Sequence, residues 1–279
     1  MVSGIQAFRH TVYNDSGYVL MYPSIGDSPE LLQGYPVDHL AESATQLFPL
    51  GTKLIQGERV WRYCKNSAAA LTIVGSPIQS AASVHSDIDE DLVVAASSGE
   101  AYAIGSYDIT LTNTTNTDAA PWTTANGGKD GYVYVNGGTG IGQCRKIKSH
   151  EAATDSAVMK ITCYEPWNVA PVAASTECGL VQNPYANVVV SGADVTNQTP
   201  IGVNPIAVTA SYYFWAQSGG PAAVVCHAAI AYGTYAVTGT TAGQIDPAAA
   251  VTTEYVVGYM MTAGIKASDH AMVFLLLDR

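Results

Sequence analysis

The chain reads as an all-β protein, mainly β with one short helix, built from β-sandwich or β-barrel modules that contain a duplicated strand-turn-strand unit. Three observations predict this. Short alternating or apolar runs recur every ten or so residues with turn-forming residues between them, which is the pattern of sandwiches and barrels, not of βαβ units. Hydrophobic residues make up 48% of the 279, mostly Ala and Val with only four Phe, a composition suited to closely packed sheets. Finally, one motif is written twice. The first copy is Val60-Trp61-Arg62-Tyr63-Cys64-Lys65-Asn66 leading to Ala70-Leu71, and the second is Tyr213-Phe214-Trp215-Ala216-Gln217-Ser218-Gly219 leading to Ala223-Val224. Aligning Trp61 with Tyr213 pairs Tyr63 with Trp215, and Ala70, Leu71, Ala223 and Val224 are expected on inner faces.

Taken in order, residues 1–36 mix Gly, Pro, Asp and Ser with isolated aromatics and read as an extended N-terminal arm. Val37 to Phe48 is the short helix candidate, with an Asp start and good helix formers. Thr52 to Ile55, the Gln56-Gly57-Glu58 turn and Arg59 to Lys65 predict a hairpin within a first β module, 37–90. A central β domain, 91–185, is expected from Asp91 to Ala96, the period-two run Ser106 to Asn113, Gly131 to Val135, and the pair Cys144 to Ser149 and Ala157 to Tyr164. Glu165 to Asn183 is punctuated by proline and reads as irregular. A second β module, 186–279, repeats the first and closes with Tyr255 to Thr262 and Ala271 to Leu277.

Composition excludes several function classes. Twelve basic against twenty-three acidic residues give a net charge of −11, which argues against a nucleic-acid partner, since phosphate binding needs clustered Lys and Arg. No apolar run is long enough to cross a membrane as a helix. Five cysteines lie far apart without a C-x-x-C pair, and the N-terminus has neither a basic nor an apolar leader region, so reduced, buried thiols and folding in a cytoplasm are expected. Only 13% of residues are charged, which favours a surface covered by neighbours in an assembly.

Candidate chemistry is sparse. Gly137-Gly138-x-Gly140-x-Gly142 resembles a phosphate loop, but the strand pattern Gln143 to Lys148 follows it where a helix would be needed, so a turn is the better reading. The six histidines are scattered singly, without zinc spacing, and Asp87-Ile88-Asp89-Glu90-Asp91 lacks the spacing of an EF-hand loop. No metal or cofactor is expected. No G-x-S-x-G elbow occurs, and Glu165 and Glu254, the carboxylates in aromatic surroundings, read as strand-edge residues. The aromatics Trp61, Tyr63, Trp122, Trp167, Tyr212, Trp215 and Tyr232 could stack on sugars, although core packing is the simpler role for the alternating pairs Trp61-x-Tyr63 and Tyr213-x-Trp215.

The order of several β-turn-β signatures resembles structural proteins of tailed bacteriophage particles, the capsid-decoration or head-associated kind. The signatures are Pro49-Leu50-Gly51-Thr52 with Gly57-x-x-Val60-x-Arg62-Tyr63-x-Lys65-Asn66, then Gly140-x-Gly142-Gln143-x-Arg145-x-Ile147-x-Ser149. They continue in Ile201-Gly202-Val203, in Tyr212 to Gln217 with Gly219-Gly220-Pro221-Ala222-Ala223-Val224, and in Val257-Gly258 with Phe274-Leu275. Together they span most of residues 48–277. The resemblance implies a virion component assembled in the host cytoplasm, without catalysis, that binds further copies of itself, expected as a trimer, or a major capsid protein. The long helix and acidic loop of a common major capsid subunit are missing, which disfavours that role. A glycan- or receptor-binding fibre head is the alternative expectation. The segments best suited to an interface are the arm, with Ile5, Phe8, Tyr13, Tyr18 and Tyr22, and the loops around Trp122 and Trp167. They carry large aromatics outside the strongest strand patterns. Folding back as a lid over the chain's own sheets is the competing reading of the same segments.

Overall fold

The computed structural model describes residues 11–13, 18–21, 37–81, 92–95, 102–112, 120–152, 158–192, 199–248, 255–263 and 267–278, the first two of these as backbone only. The protein is all-β, with no helix among the described residues. It divides into two compact units, Met1–Ala82 with Pro184–Arg279, and Ser83–Asn183.

Unit two is a closed six-stranded antiparallel barrel of β6 (Leu92–Val94), β7 (Asp108–Thr112), β8 (Tyr132–Gly137), β9 (Cys144–His150), β10 (Val158–Cys163) and β11 (Glu177–Val181). Its strand order is β10-β7-β6-β11-β8-β9, and β9 pairs with β10 to close the ring. Period-two alternation aims Leu92 and Val94, Ile109 and Leu111, Val133 and Val135, Met159, Ile161 and Cys163, and Cys178 and Leu180 into one core. Closure leaves no sheet edge, which suits short strands of limited individual stability. β11 falls within the stretch expected to be irregular. It is a strand because the facing edges of β6 and β8 both hydrogen-bond to it.

Unit one holds one large sheet. Its main path is β1 (Thr11–Tyr13), β2 (Tyr18–Met21), β3 (Lys53–Gln56), β4 (Arg59–Lys65), β14 (Tyr213–Val225), β18 (His270–Leu276), β17 (Val256–Met260), β15 (Tyr235–Thr238) and β16 (Ile245–Pro247). Off this path, β5 (Pro77–Gln79), β12 (Val189–Val190) and β13 (Pro200–Val203) pair with one another, and β13 also pairs with β14. The predicted β3–β4 hairpin is present around Gly57. The described part of the expected N-terminal arm is a β1–β2 hairpin that extends the sheet along the free edge of β3.

Three expectations are corrected. The short helix at 37–48 is absent: the segment is turns and bends, tied to the sheet where Ser43 and Tyr213 exchange backbone hydrogen bonds of 2.9 and 2.8 Å. The Asp38 carboxylate also takes up the Leu40 amide at 2.9 Å in a local turn, so tertiary pairing and side-chain competition override helix propensity.

The two modules expected at 37–90 and 186–279 are not separate, because β4 and β14 are neighbours in one sheet. The two motif copies are therefore partners and not equivalents. They run antiparallel, with Tyr213 opposite Lys65, Trp215 opposite Tyr63 and Gln217 opposite Trp61. Their topologies also differ. The second copy is one continuous 13-residue strand, whereas the first leaves the sheet after Lys65. Leu71 and Val224 are buried as expected, but Ala70 and Ala223 are exposed.

β14 changes partners midway: Tyr213–Gly219 lies against β4, and Gly219–Val225 against β18. Gly220 makes the change possible. Its φ is +77°, and a Cβ there would sit 2.3 Å from the Glu58 carbonyl oxygen.

Candidate interaction surface

The structure separates the residues expected at an interface. Ile5, Phe8 and Tyr22 lie outside the described residues. Tyr13 ends β1 and Tyr18 begins β2. Trp122 and Trp167 are core residues of the barrel and not interface anchors, exposed by only 3% and 1%. The turn carrying Trp122 folds in because Gly128 has no side chain; a Cβ there would fall 2.1 Å from the indole ring. Trp167 is fixed by backbone hydrogen bonds to Ser106 and Gly105, both 2.8 Å, with the Arg145 guanidinium over its ring at 5.6 Å. Loop aromatics next to an open barrel end find their apolar partners inside it.

The alternating aromatics of the motif pairs are core as well. β4 and the first half of β14 are buried on both faces. One side packs Trp61, Tyr63 and Trp215 with Phe48, Leu50 and Leu54, and the other packs Cys64, Phe214 and Ala216 with Leu71, Ile78 and Val188. Burial pushes the Tyr63 hydroxyl up to about 12 and raises the Cys64 thiol far above its usual range.

Among the described residues, the other half of the sheet is covered on one face only. Ala222, Val224, Val257, Met260, Val273 and Leu275 point into a core, whereas Ala223, Tyr259, Met272 and Phe274 point out. In register, those outward residues form two rows across the strands. The first is Pro221 (β14), Phe274 (β18), Tyr259 (β17) and Tyr235 (β15). The second, two residues along, is Ala223, Met272 and Met261, the last placed by the Met261 amide donating to the Met272 carbonyl at 2.8 Å. Tyr235 is 52% exposed, Tyr259 37%, and Met261 and Met272 38% each. None of the seven carries a charge. Tyr259 and Phe274 stack at 5.2 Å with their planes 11° apart, so each ring covers part of a face of the other. Two further exposed tyrosines, Tyr232 and Tyr255, lie just before β15 and β17. β17 and β18 were expected as closing strands from their apolar runs, which do not show which face stays uncovered.

The polar clusters of unit one act as clamps. Arg62 donates through Nε and Nη2 to the Asp278 carboxylate, through Nη1 to the Gly51 carbonyl at 2.9 Å, and its guanidinium lies 5.6 Å from the Tyr185 ring. Lys53 Nζ adds a 3.2 Å contact, joining the chain's end to β3 and β4. Burial works against the charge on Asp278, but Arg62 and Lys53 outweigh it and hold the carboxyl below its usual range.

Asp246 Oδ1 lies 2.9 Å from His227 Nδ1, and Oδ2 accepts from the Thr240 amide and hydroxyl at 2.9 and 3.0 Å. The arrangement orients an imidazole, but both Thr240 donors serve Asp246, so it reads as a lock on the turn between β15 and β16. In the barrel, burial lowers His150, whose Nε2 accepts from the Gly128 amide at 2.8 Å.

Among the described residues, no group of three or more His, Cys, Asp or Glu side chains is placed to hold a metal ion. No helix among them is long and apolar enough to cross a membrane. All five cysteines are free. Cys144 is exposed, contrary to the expectation of buried thiols, and the other four are buried. Glu165 is exposed in a bend after β10, and Glu254 lies outside the described residues. No known protein family, characterised protein or solved structure matches this chain.

Proposed function

We propose that this chain is a non-enzymatic structural protein of a bacteriophage particle, which joins the coat through contacts with its own kind and with a major capsid protein. The observation that carries the reading is the uncharged double row on the outer face of β14, β18, β17 and β15. Contiguous apolar surface of this kind marks a place where another protein sits. Methionine beside aromatic rings suits adaptable protein contact. The low charge of the chain and the order of its β-turn-β signatures support the same reading.

The glycan-binding alternative is weaker on this geometry. Trp61, Tyr63 and Trp215, its best stacking residues, are buried, and Tyr259 and Phe274 stack on each other, which takes up a ring face of each that a sugar platform would need.

Mass spectrometry of purified particles from a phage that encodes the chain tests the proposal. Recovery in stoichiometric amounts after density-gradient purification is the expected result. Absence from particles, with the protein left in the lysate, would overturn it.

A further inference from the structure

Resting on that reading, the geometry points to a specific occupant of the exposed face: a second copy of this chain, docked about a twofold axis. The two rows run parallel across the sheet, Pro221–Phe274–Tyr259–Tyr235 and Ala223–Met272–Met261, about 7 Å apart because they are two residues apart along each strand. A twofold axis parallel to the rows and midway between them turns one sheet over onto the other. Each aromatic row then lies on a methionine row. Strand position along the axis is preserved, so Met272 meets Phe274 of the partner subunit, and Met261 meets Tyr259 of the partner subunit. Thioether sulfur against an aromatic ring is a favourable contact, often at the ring edge. Isologous packing of this sort needs one self-complementary patch and no second surface.

Charge is compatible with the same occupant. The chain carries a net −11, so two copies repel wherever their acidic surfaces meet, yet none of the seven residues in the rows is charged. Contact here brings two copies together without opposing like charges and without stripping water from ions. The face is four strands wide, about 19 Å at the usual strand spacing. Taking ~200 Å² for a whole aromatic or methionine side chain, the exposed fractions uncover on the order of 400 Å² per copy. That is half the ~800 Å² per partner of a standard stable interface, so the dimer dissociates on dilution and is a step of assembly. A twofold contact differs from the trimer expected from the sequence.

Sedimentation equilibrium over a dilution series of the full chain tests the arrangement. The expected result is a monomer–dimer equilibrium. Met261→Glu and Tyr259→Lys should each be monomeric where the unmodified chain is mostly dimeric. An equimolar mixture of the two should recover the dimer, because the twofold places the substituted positions against each other. Far-UV circular dichroism checks that each variant is folded; if either is not, Met272→Glu supplies the disrupting charge from the neighbouring strand. A monomer at every concentration, single variants that dimerise unchanged, a trimer indifferent to all three, or a mixture that fails to recover the dimer would each overturn the inference. A chain found in particles but monomeric in solution removes this dimer and leaves the virion reading standing. A dimer never found in particles does the reverse.

Discussion

Two halves of one sheet use the same kind of residue for opposite ends. In β4 and the first half of β14, Trp61, Tyr63, Phe214 and Trp215 are enclosed, because 37–50 covers one face and the segments around β5, β12 and β13 cover the other. In the second half of β14 and in β18, β17 and β15, the inner face is just as dry, but Phe274, Tyr259 and Tyr235 stand on the outside. Strand alternation is equally good in both halves. What differs is whether a described segment of the chain covers the second face. Aromatic alternation therefore reports a strand and its two faces, and coverage decides whether an aromatic stabilises the fold or is left for another molecule.

Truncation in the enclosed half sharpens this contrast most. Trp215→Ala removes a side chain packed against Tyr63 at 5.0 Å and Phe48 at 5.2 Å, and should cost about 4 kcal/mol in urea unfolding. A loss below about 1 kcal/mol would mean the enclosed half is loosely packed, and the comparison would collapse.

The point where the two halves meet comes next. Gly220→Val places a side chain 2.3 Å from the Glu58 carbonyl oxygen at a φ of +77°, and should cost about 3 kcal/mol. Gly233→Ala is the control, since φ is +75° there but nothing lies within 4 Å of the added carbon. It should cost about 1 kcal/mol, the conformational share alone. Equal losses at both sites would show that strain, and not the close approach of β14 to the β3–β4 turn, governs the partner change.

The sequence made the strands visible and hid their neighbours. The β3–β4 hairpin followed from the Gln56-Gly57-Glu58 turn, and barrel strands followed from runs such as the period-two Ser106 to Asn113, which holds β7. β11 and β13 were missed because Glu177–Val181 and Pro200–Val203 become strands only when facing edges pair with them. The motif in two copies was legible as similarity, but similarity cannot distinguish a duplicated module from two antiparallel partners, since aromatic strands also pair preferentially across a sheet. Trp122 and Trp167 look like loop aromatics in the sequence, and only barrel closure shows that their loops fold inward. The exposed face was missed for the same physical reason: exposure is set by chain segments remote in sequence.

Asp278, just after β18, anchors the enclosed half, and acid should release it. The folded-state pKa of Asp278 is depressed, so its contribution is present above the unfolded value near ~3.9 and is lost as pH falls through the lower folded value. Asp278→Asn should cost about 2 kcal/mol at neutral pH, because Arg62 and Lys53 lose a half-buried carboxylate. The difference between variant and unmodified chain should shrink as pH drops through the acid range. A difference that persists at the lowest pH would assign the effect to packing of the terminus.

The smallest effect is expected where the sheet is open. Tyr259→Ser removes a ring that is 37% exposed and stacked on Phe274, and Tyr235→Ser one that is 52% exposed. At a protein concentration low enough to suppress association, Tyr235→Ser should change stability by less than ~0.5 kcal/mol, as surface substitutions do. Tyr259→Ser should cost up to about 1 kcal/mol more, the value of an aromatic pair. Raising the concentration separates stability from association. If the face is an interface, the unmodified chain gains melting temperature with concentration by mass action, and Tyr259→Ser gains less. Parallel shifts for both would mean that Tyr259 contributes only within its own sheet, and the two halves would then differ in exposure without differing in purpose.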